Sequence, residues 1–244
     1  MSALALHGKS ALVTGGARRI GREIALGLAR AGADVTITYR ESRAEAQKTA
    51  IQIEALGRRA QAVACDVRSE TSVRAAVAAA IALHGRLDIL VNNAAIFESA
   101  ALDQISLDRW DTVFETNTRG PFLVAREALS HLRAAKGRIV NIGSLGGIRA
   151  WAGHGHYCAS KAAVHMLTQV MAKSFAPEVA VNCVAPGWID QGDSDEKTAA
   201  RFAEKTPAKR NGTAVDVAEA VLFFAAAPGF VTGQILAVDG GLGL

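Results

Sequence analysis

The chain has 244 residues, half of them hydrophobic, with 27 Lys+Arg against 23 Asp+Glu and a formal net charge of +4. That is ample apolar material for a sizeable core, and α/β folds of this length commonly form one domain. The basic excess is scattered, with no cationic block that would dock nucleic acid, and no apolar run is long enough to span a bilayer. Short β-branched runs then alternate with alanine-rich stretches along the whole chain. Strands are predicted at 10–14, 34–39, 60–65, 87–92, 137–143, 179–184 and 234–239. Helices are predicted near 19–31, 43–56, 69–84, 106–135, 155–175 and 214–227. Several strands are apolar at consecutive positions, as in strands covered on both faces. The expected architecture is a single domain over 1–244, a Rossmann-type doubly wound parallel sheet of about seven strands with helices on both faces.

Cys65, Cys158 and Cys183 are far apart and form no Cys-x-x-Cys. They share no ligand spacing with the six histidines, so neither a disulfide framework nor a metal site is expected. The opening MSALALHGKS lacks the cationic start and full apolar stretch of a secretion signal, and a cytoplasmic protein is expected.

In a doubly wound sheet, ligands bind outside the carboxyl ends of the strands, where the strand order reverses. TGGARRIG follows the first strand and opens a helix, the context a phosphate loop needs. Gly15 permits the tight turn, Gly21 lets the helix pack close to the sheet, and the first backbone N–H groups offer an anion site. Folds that bind NAD usually end the second strand with an Asp or Glu for the ribose 2′-OH. Here that strand ends in TYRES, placing Tyr39, Arg40 and Ser42 at that position. Guanidinium groups match phosphate through a planar fork, so Arg40, with Arg18 and Arg19 across the crevice, points to a 2′-phosphate and to NADP(H). Glu41 is discordant there and is expected to face solvent.

YCASK sets Tyr157 and Lys161 four residues apart on one helical face, with Ser144 ending a strand before them and Asn117 in NTRG. Together with CDV at 65–67, NNAA at 92–95, IGS at 142–144, APG at 185–187 and VDGG at 238–241, this set resembles the short-chain dehydrogenase/reductase family over essentially the whole chain. The resemblance implies that Tyr157 protonates a carbonyl oxygen and that Lys161 lowers its pKa and binds the nicotinamide ribose. It also implies that Ser144 holds the substrate oxygen and that Asn117 orders a water linked to Lys161. By the same matching, Asp66 and Val67 meet the adenine. Asn93, Ala94 and Ala95 line the adenosine, Ile20 lies in the phosphate loop, and Pro186, Gly187 and Ile189 border the nicotinamide.

Two departures bear on substrate. Arg19 stands where the family usually has glycine, and Phe97 follows NNAA; both resemble the pterin-reductase branch. That branch carries an aspartate where this chain has Ser144, and a serine suits a ketone or alcohol oxygen instead. Trp151 and Trp188 flank the expected pocket with Phe97 nearby, His154 and His156 shape the loop before Tyr157, and 187–207 forms a lid with a solvated helix. The label 3-oxoacyl-[acyl-carrier-protein] reductase is common for such chains, yet SFAPEVA after the catalytic helix lacks the basic residues that would dock an acidic carrier. The reading is therefore an NADPH-dependent reductase of a small-molecule carbonyl, a 3-oxoacyl thioester or a cyclic or aromatic ketone. A pterin reductase and a catalytically silent NADP sensor are the alternatives. Apolar residues on more than one face of the 106–135 and Tyr157 helices, where the family pairs subunits, imply a homotetramer.

Overall fold

Side chains alternate across a strand, so neighbouring residues of a buried strand serve opposite faces of its sheet. In the computed structural model, which describes residues 5–192 and 195–244, Val13, Val91 and Val140 enter one apolar cluster while Leu12, Leu90 and Ile139 enter the other. The strands are β1 Ser10–Val13, β2 Asp34–Tyr39, β3 Ala60–Ala64, β4 Ile89–Asn92, β5 Arg138–Ile142, β6 Ala180–Pro186 and β7 Ile235–Val238. Every pairing is parallel, in the order β3-β2-β1-β4-β5-β6-β7. Order reverses between β1 and β4, and that crevice is where the glycine loop leaves β1.

The helices are α1 Arg19–Arg30, α2 Arg43–Ala55, α3 Glu70–His84, α4 Leu107–Phe114, α5 Gly120–Ala135, α6 Gly155–Phe175, α7 Glu196–Lys205 and α8 Ala214–Ala226. Helices α1 and α8 bury Ile24, Leu28, Val217, Val221 and Phe224 against one face. On the other face α3, α5 and α6 bury Val73, Val77, Leu132 and Met171. Each such side chain stabilises the fold by about 1.5–3 kcal/mol on burial. Local chemistry sets several ends. Ser69 caps α3 by accepting the Ser72 N–H, and Gly85 closes it in the left-handed region. Thr213 and Asp216 form a reciprocal capping box on α8.

The stretch expected as one helix over 106–135 is divided: α4 runs into a π-turn at Glu115–Arg119 before α5 begins. Pro121 in the first turn of α5 has no N–H to continue the regular ladder, which accounts for the break. The lid stretch contains α7, although Asp193 and Ser194 of that stretch, like residues 1–4 of the N-terminal reading, lie outside the described residues. No helix among the described residues is long and apolar enough to cross a membrane.

Candidate active site at the carboxyl ends of the strands

The turn after β1 has no spare volume. A Cβ on Gly21 would lie 2.2 Å from the Gly15 carbonyl oxygen and 2.5 Å from Asn93 Nδ2. Gly15 itself has φ of 65°, and Asn93 Nδ2 donates to the Thr14 and Gly15 carbonyls at 2.9 and 3.0 Å. Thr14 Oγ1 accepts the N–H groups of Asn93 and Ala94, both at 3.0 Å, so the ends of β1 and β4 are laced together. Helix α1 then starts with Arg18 as an N-cap whose side chain makes no capping bond and with no acidic residue in its first turn. Those first N–H groups and the positive helix end suit a pyrophosphate, and the glycine geometry lets one approach the backbone. Arg19 takes φ of 54°, a left-handed conformation that favours glycine, and it is exposed with Arg18 at the groove. Ile20 packs against the core beside them.

The neighbouring ends of β2 and β3 carry ion pairs that the sequence reading did not anticipate. Arg40 is half exposed and pairs with Glu41 at 2.8 Å, so Glu41 does not merely face solvent; it competes for the guanidinium. Ser42 N-caps α2 without using its hydroxyl, which stays available to a ligand, and Tyr39 is partly buried at the end of β2. Asp66 receives Arg68 through both carboxylate oxygens, at 3.0 and 2.7 Å, and accepts the Arg68 N–H at 3.0 Å. The Arg68 side chain holds the Asp66 carboxyl below its ordinary range, against the opposing effect of burial. An adenine would meet this pair rather than a lone carboxylate. Val67 is buried against Gly120, where a Cβ would come within 2.9 Å of it. Ala95 is exposed beyond Ala94 at the rim.

Ser144, Tyr157, Lys161 and Asn117 converge from three elements. Ser144 follows β5, and its Oγ accepts the Gly146 N–H at 3.0 Å while its hydroxyl lies beside the Tyr157 phenol. Burial raises the Tyr157 pKa above its ordinary value, and Ser144 opposes that rise. Lys161, one turn further along α6, is buried and donates to the Ile142 carbonyl at 2.8 Å. Burial pushes it down from 10.5 to about 8. Burial is the largest influence on the phenol, and the ammonium is turned toward the Ile142 carbonyl. Asn117 lies in the π-turn with its amide fully used. Its Oδ1 accepts the Ile96 N–H at 2.8 Å, and its Nδ2 donates to the Ile96 carbonyl and to Ser160 Oγ at 2.9 and 3.0 Å. Beneath this group Asn92 donates to Asn141 and Asn141 to Thr168, each at 2.9 Å, linking buried amides across β4, β5 and α6, while Asn92 Oδ1 is buried without a partner among the described residues.

An aromatic wall stands over Tyr157. Phe97 meets it edge-on at 4.9 Å and stacks on His154 at 4.6 Å, while Trp151 lies parallel to Tyr157 at 6.4 Å. The wall is set by His154 and His156 together with Glu98 and Arg109, the last two of which sequence reasoning did not single out. Glu98 accepts from Arg109 at 2.9 Å and pairs with the fully buried His156 at 3.0 Å, while His154 Nδ1 meets the Glu98 carbonyl at 2.9 Å. Trp188 is not at this wall. Its ring stacks on Phe202 of α7 at 3.9 Å, which ties the lid helix to the segment after β6. There Pro186 ends β6, the Gly187 N–H donates to the Val238 carbonyl at 2.9 Å, and Ile189 is buried. Among the described residues no group of three His, Cys, Asp or Glu is placed to hold a metal.

The chain matches the family model described as Enoyl-(Acyl carrier protein) reductase over residues 15–243. It is 38% identical to the short-chain dehydrogenase/reductase FrzI of Cladobotryum sp, with 96% of this chain and 95% of that protein covered. It is 35% identical to the 3-oxoacyl-[acyl-carrier-protein] reductase FabG of Staphylococcus aureus, covering 96% and 98%. Among solved structures it superposes on a blue fluorescent protein from a metagenomic library, in complex with NADPH, with TM-score 0.90, 37% identity and coverage of 98% and 99%. With the glycine loop at the β1–β4 crevice and the Ser-Tyr-Lys set beside it, the chain belongs to the short-chain dehydrogenase/reductase family of nicotinamide-dependent oxidoreductases.

Proposed function

We propose that this enzyme is an NADPH-dependent reductase of ring-bearing ketones. The observation that carries the reading is the Ser144 hydroxyl beside the Tyr157 phenol, with buried Lys161 behind and aromatic rings in front. A bound nicotinamide dinucleotide would supply hydride to the carbonyl carbon. Tyr157 delivers its phenolic proton to the carbonyl oxygen, so the ketone gains a hydride and a proton and leaves as the alcohol. Ser144 holds that oxygen, a contact that strengthens as negative charge develops. Lys161 supplies positive charge behind the phenol and grips the nicotinamide ribose. Asn117 has no spare amide donor, so a water linking it to Lys161 would use the Asn117 main chain. Around a bound dinucleotide, the α1 start, which lacks a side-chain cap, would hold the pyrophosphate, and Arg40, Arg18 and Ser42 would hold the 2′-phosphate. Asp66 with Arg68 faces the adenine. Phe97 and Trp151 give a planar substrate two rings to lie against.

The test is kcat/KM with NADPH and NADH over cyclic and aromatic ketones, 3-oxoacyl thioesters, quinones and pterins. Ring ketones with NADPH should lead. Pterin reduction is the second reading, favoured by Arg19 at the groove and Phe97 over Tyr157, and dihydropterins outpacing every ketone would establish it in place of the first. No NADPH consumption with any of these would leave the sensor reading instead.

The assembly we propose is a homotetramer. A cavity of about 400 Å3 opens where α4, α5 and α6 meet, lined by Phe114, Arg119, Phe122 and Leu167, and Met166 and Val170 are exposed on α6 nearby. A second copy across a two-fold axis would cover this face. Light scattering at micromolar concentration tests it, and a monomer would refute it. Three free thiols suit the reducing cytoplasm, the proposed location.

A further inference from the structure

We propose that His165 is a positioning residue for Ser144: its neutral imidazole is the core around which the serine-bearing loop is folded. His165 lies one turn beyond Lys161 on α6 and is buried. Its Nε2 accepts the Ser144 N–H at 3.4 Å. The loop closes on the ring from two sides. A Cβ on Gly143 would lie 2.3 Å from Nε2, and one on Gly147 would lie 2.7 Å from Cε1. Neither Gly143, just before the catalytic serine, nor Gly147, three residues after it, therefore has room for a side chain against the imidazole. No aliphatic side chain accepts the Ser144 N–H, and a shift there would carry Ser144 Oγ away from Tyr157.

The acceptor role requires an unprotonated Nε2. Burial, and then the nearby Lys161 charge, push His165 down to about 4, with the Gly147 carbonyl opposing. The groups facing it are Lys161 on its own helix and the Cys183 thiol on β6, which burial raises to about 12 and which therefore stays uncharged. No carboxylate contributes to this environment among the described residues.

This inference rests on Ser144 and Tyr157 being the carbonyl-holding pair, and that reading fails separately, if Tyr157→Phe stays active. The experiment compares His165→Leu, of similar bulk without an acceptor, with His165→Gln, whose amide oxygen can take the Ser144 N–H. His165→Leu should lower kcat roughly 10- to 100-fold, the scale of a misplaced reacting group, with NADPH affinity within about twofold of wild type on that scale of effects. His165→Gln should recover most of the rate. Equal rates for Leu and wild type, or equal losses in folded Leu and Gln variants, would overturn the proposal. Ring-15N histidine NMR on the wild-type enzyme decides even if a variant fails to fold. An Nε2 that stays unprotonated from pH 5 to 8 supports it, and an imidazolium at pH 6 refutes it.

Discussion

Lys161 Nζ stands 5.8 Å from the centre of the Tyr157 ring while donating to the Ile142 carbonyl at 2.8 Å. The ammonium is thus anchored to β5, and the phenol reaches out from α6 toward Ser144. A buried ammonium is expensive, which makes Lys161 a candidate for a functional rather than a stabilising role.

Lys161→Met should abolish turnover yet stabilise the fold. In the folded chain Lys161 titrates at about 8 against an ordinary 10.5, so the unfolded chain binds the extra proton between those values. The cost of folding with the charge, about 3 kcal/mol, is full below pH 8 and fades as pH rises toward 10.5. Urea unfolding without nucleotide should show the Met variant more stable at pH 7, with the gain shrinking by pH 10. A pH-independent difference would contradict this origin.

Cofactor choice should respond to Glu41 as well as to Arg40. Because Arg40 is half exposed and already paired, Arg40→Asp should weaken NADPH by about 1.5–3 kcal/mol, the range for hydrogen bonds to charged groups. Glu41→Gln frees the guanidinium and should tighten NADPH while leaving NADH unchanged. Fluorescence titration with both nucleotides reads this, and equal affinities of wild type for the two would remove the 2′-phosphate assignment.

Gly21→Ala should lose nucleotide affinity, because its Cβ would meet the Gly15 carbonyl at 2.2 Å. Overpacking of this kind costs about 1–3 kcal/mol in stability. Gly57→Ala is the comparison, since Gly57 has a positive φ of 75° that strains a side chain, but open space around it. Both variants should melt earlier, and only the first should bind NADPH poorly.

Ser144→Ala should lower kcat on ketones by roughly 10²–10³, as for loss of one donor to a developing oxyanion. Tyr157→Phe should abolish turnover with NADPH binding nearly intact. Steady-state kinetics beside binding isotherms separates the two effects. A serine-indifferent enzyme that prefers pterins would move the assignment to the second reading.

Glu98→Gln should raise KM for ring ketones with little change in kcat or NADPH affinity, because Phe97 loses its anchoring neighbour. Arg109, then His156, hold the Glu98 carboxyl below its ordinary 4.5. Its grip is complete above pH 4.5 and is lost as pH falls through the lower folded value, so KM should climb in that acid range for wild type and stay flat for Glu98→Gln.

The sheet and the shared helical face of Tyr157 and Lys161 were legible because their signals are local. Consecutive apolar residues mark β4 to β6, and a four-residue spacing puts Tyr157 and Lys161 on one face. The π-turn left a local trace too, in the Gly120–Pro121 pair, but the alanine-rich run around it reads as unbroken helix. Glu98 and His156 are 58 residues apart and meet only once the loops after β4 and before α6 are brought together. The Arg40–Glu41 pair and the Asp66–Arg68 fork depend on rotamers, about which residue order is silent.

Residues 97–100 run beside 153–156, held by the Glu98 contacts and by the Ala100 N–H donating to the Gly153 carbonyl at 2.9 Å. Two stretches distant in sequence are thereby one unit for inheritance and for engineering. Grafting either alone from a relative would strand a carboxylate or an imidazole and shift Tyr157 with it. New substrate ranges in this scaffold should come from paired exchanges of both stretches, with single-loop swaps yielding folded but poorly active chimeras.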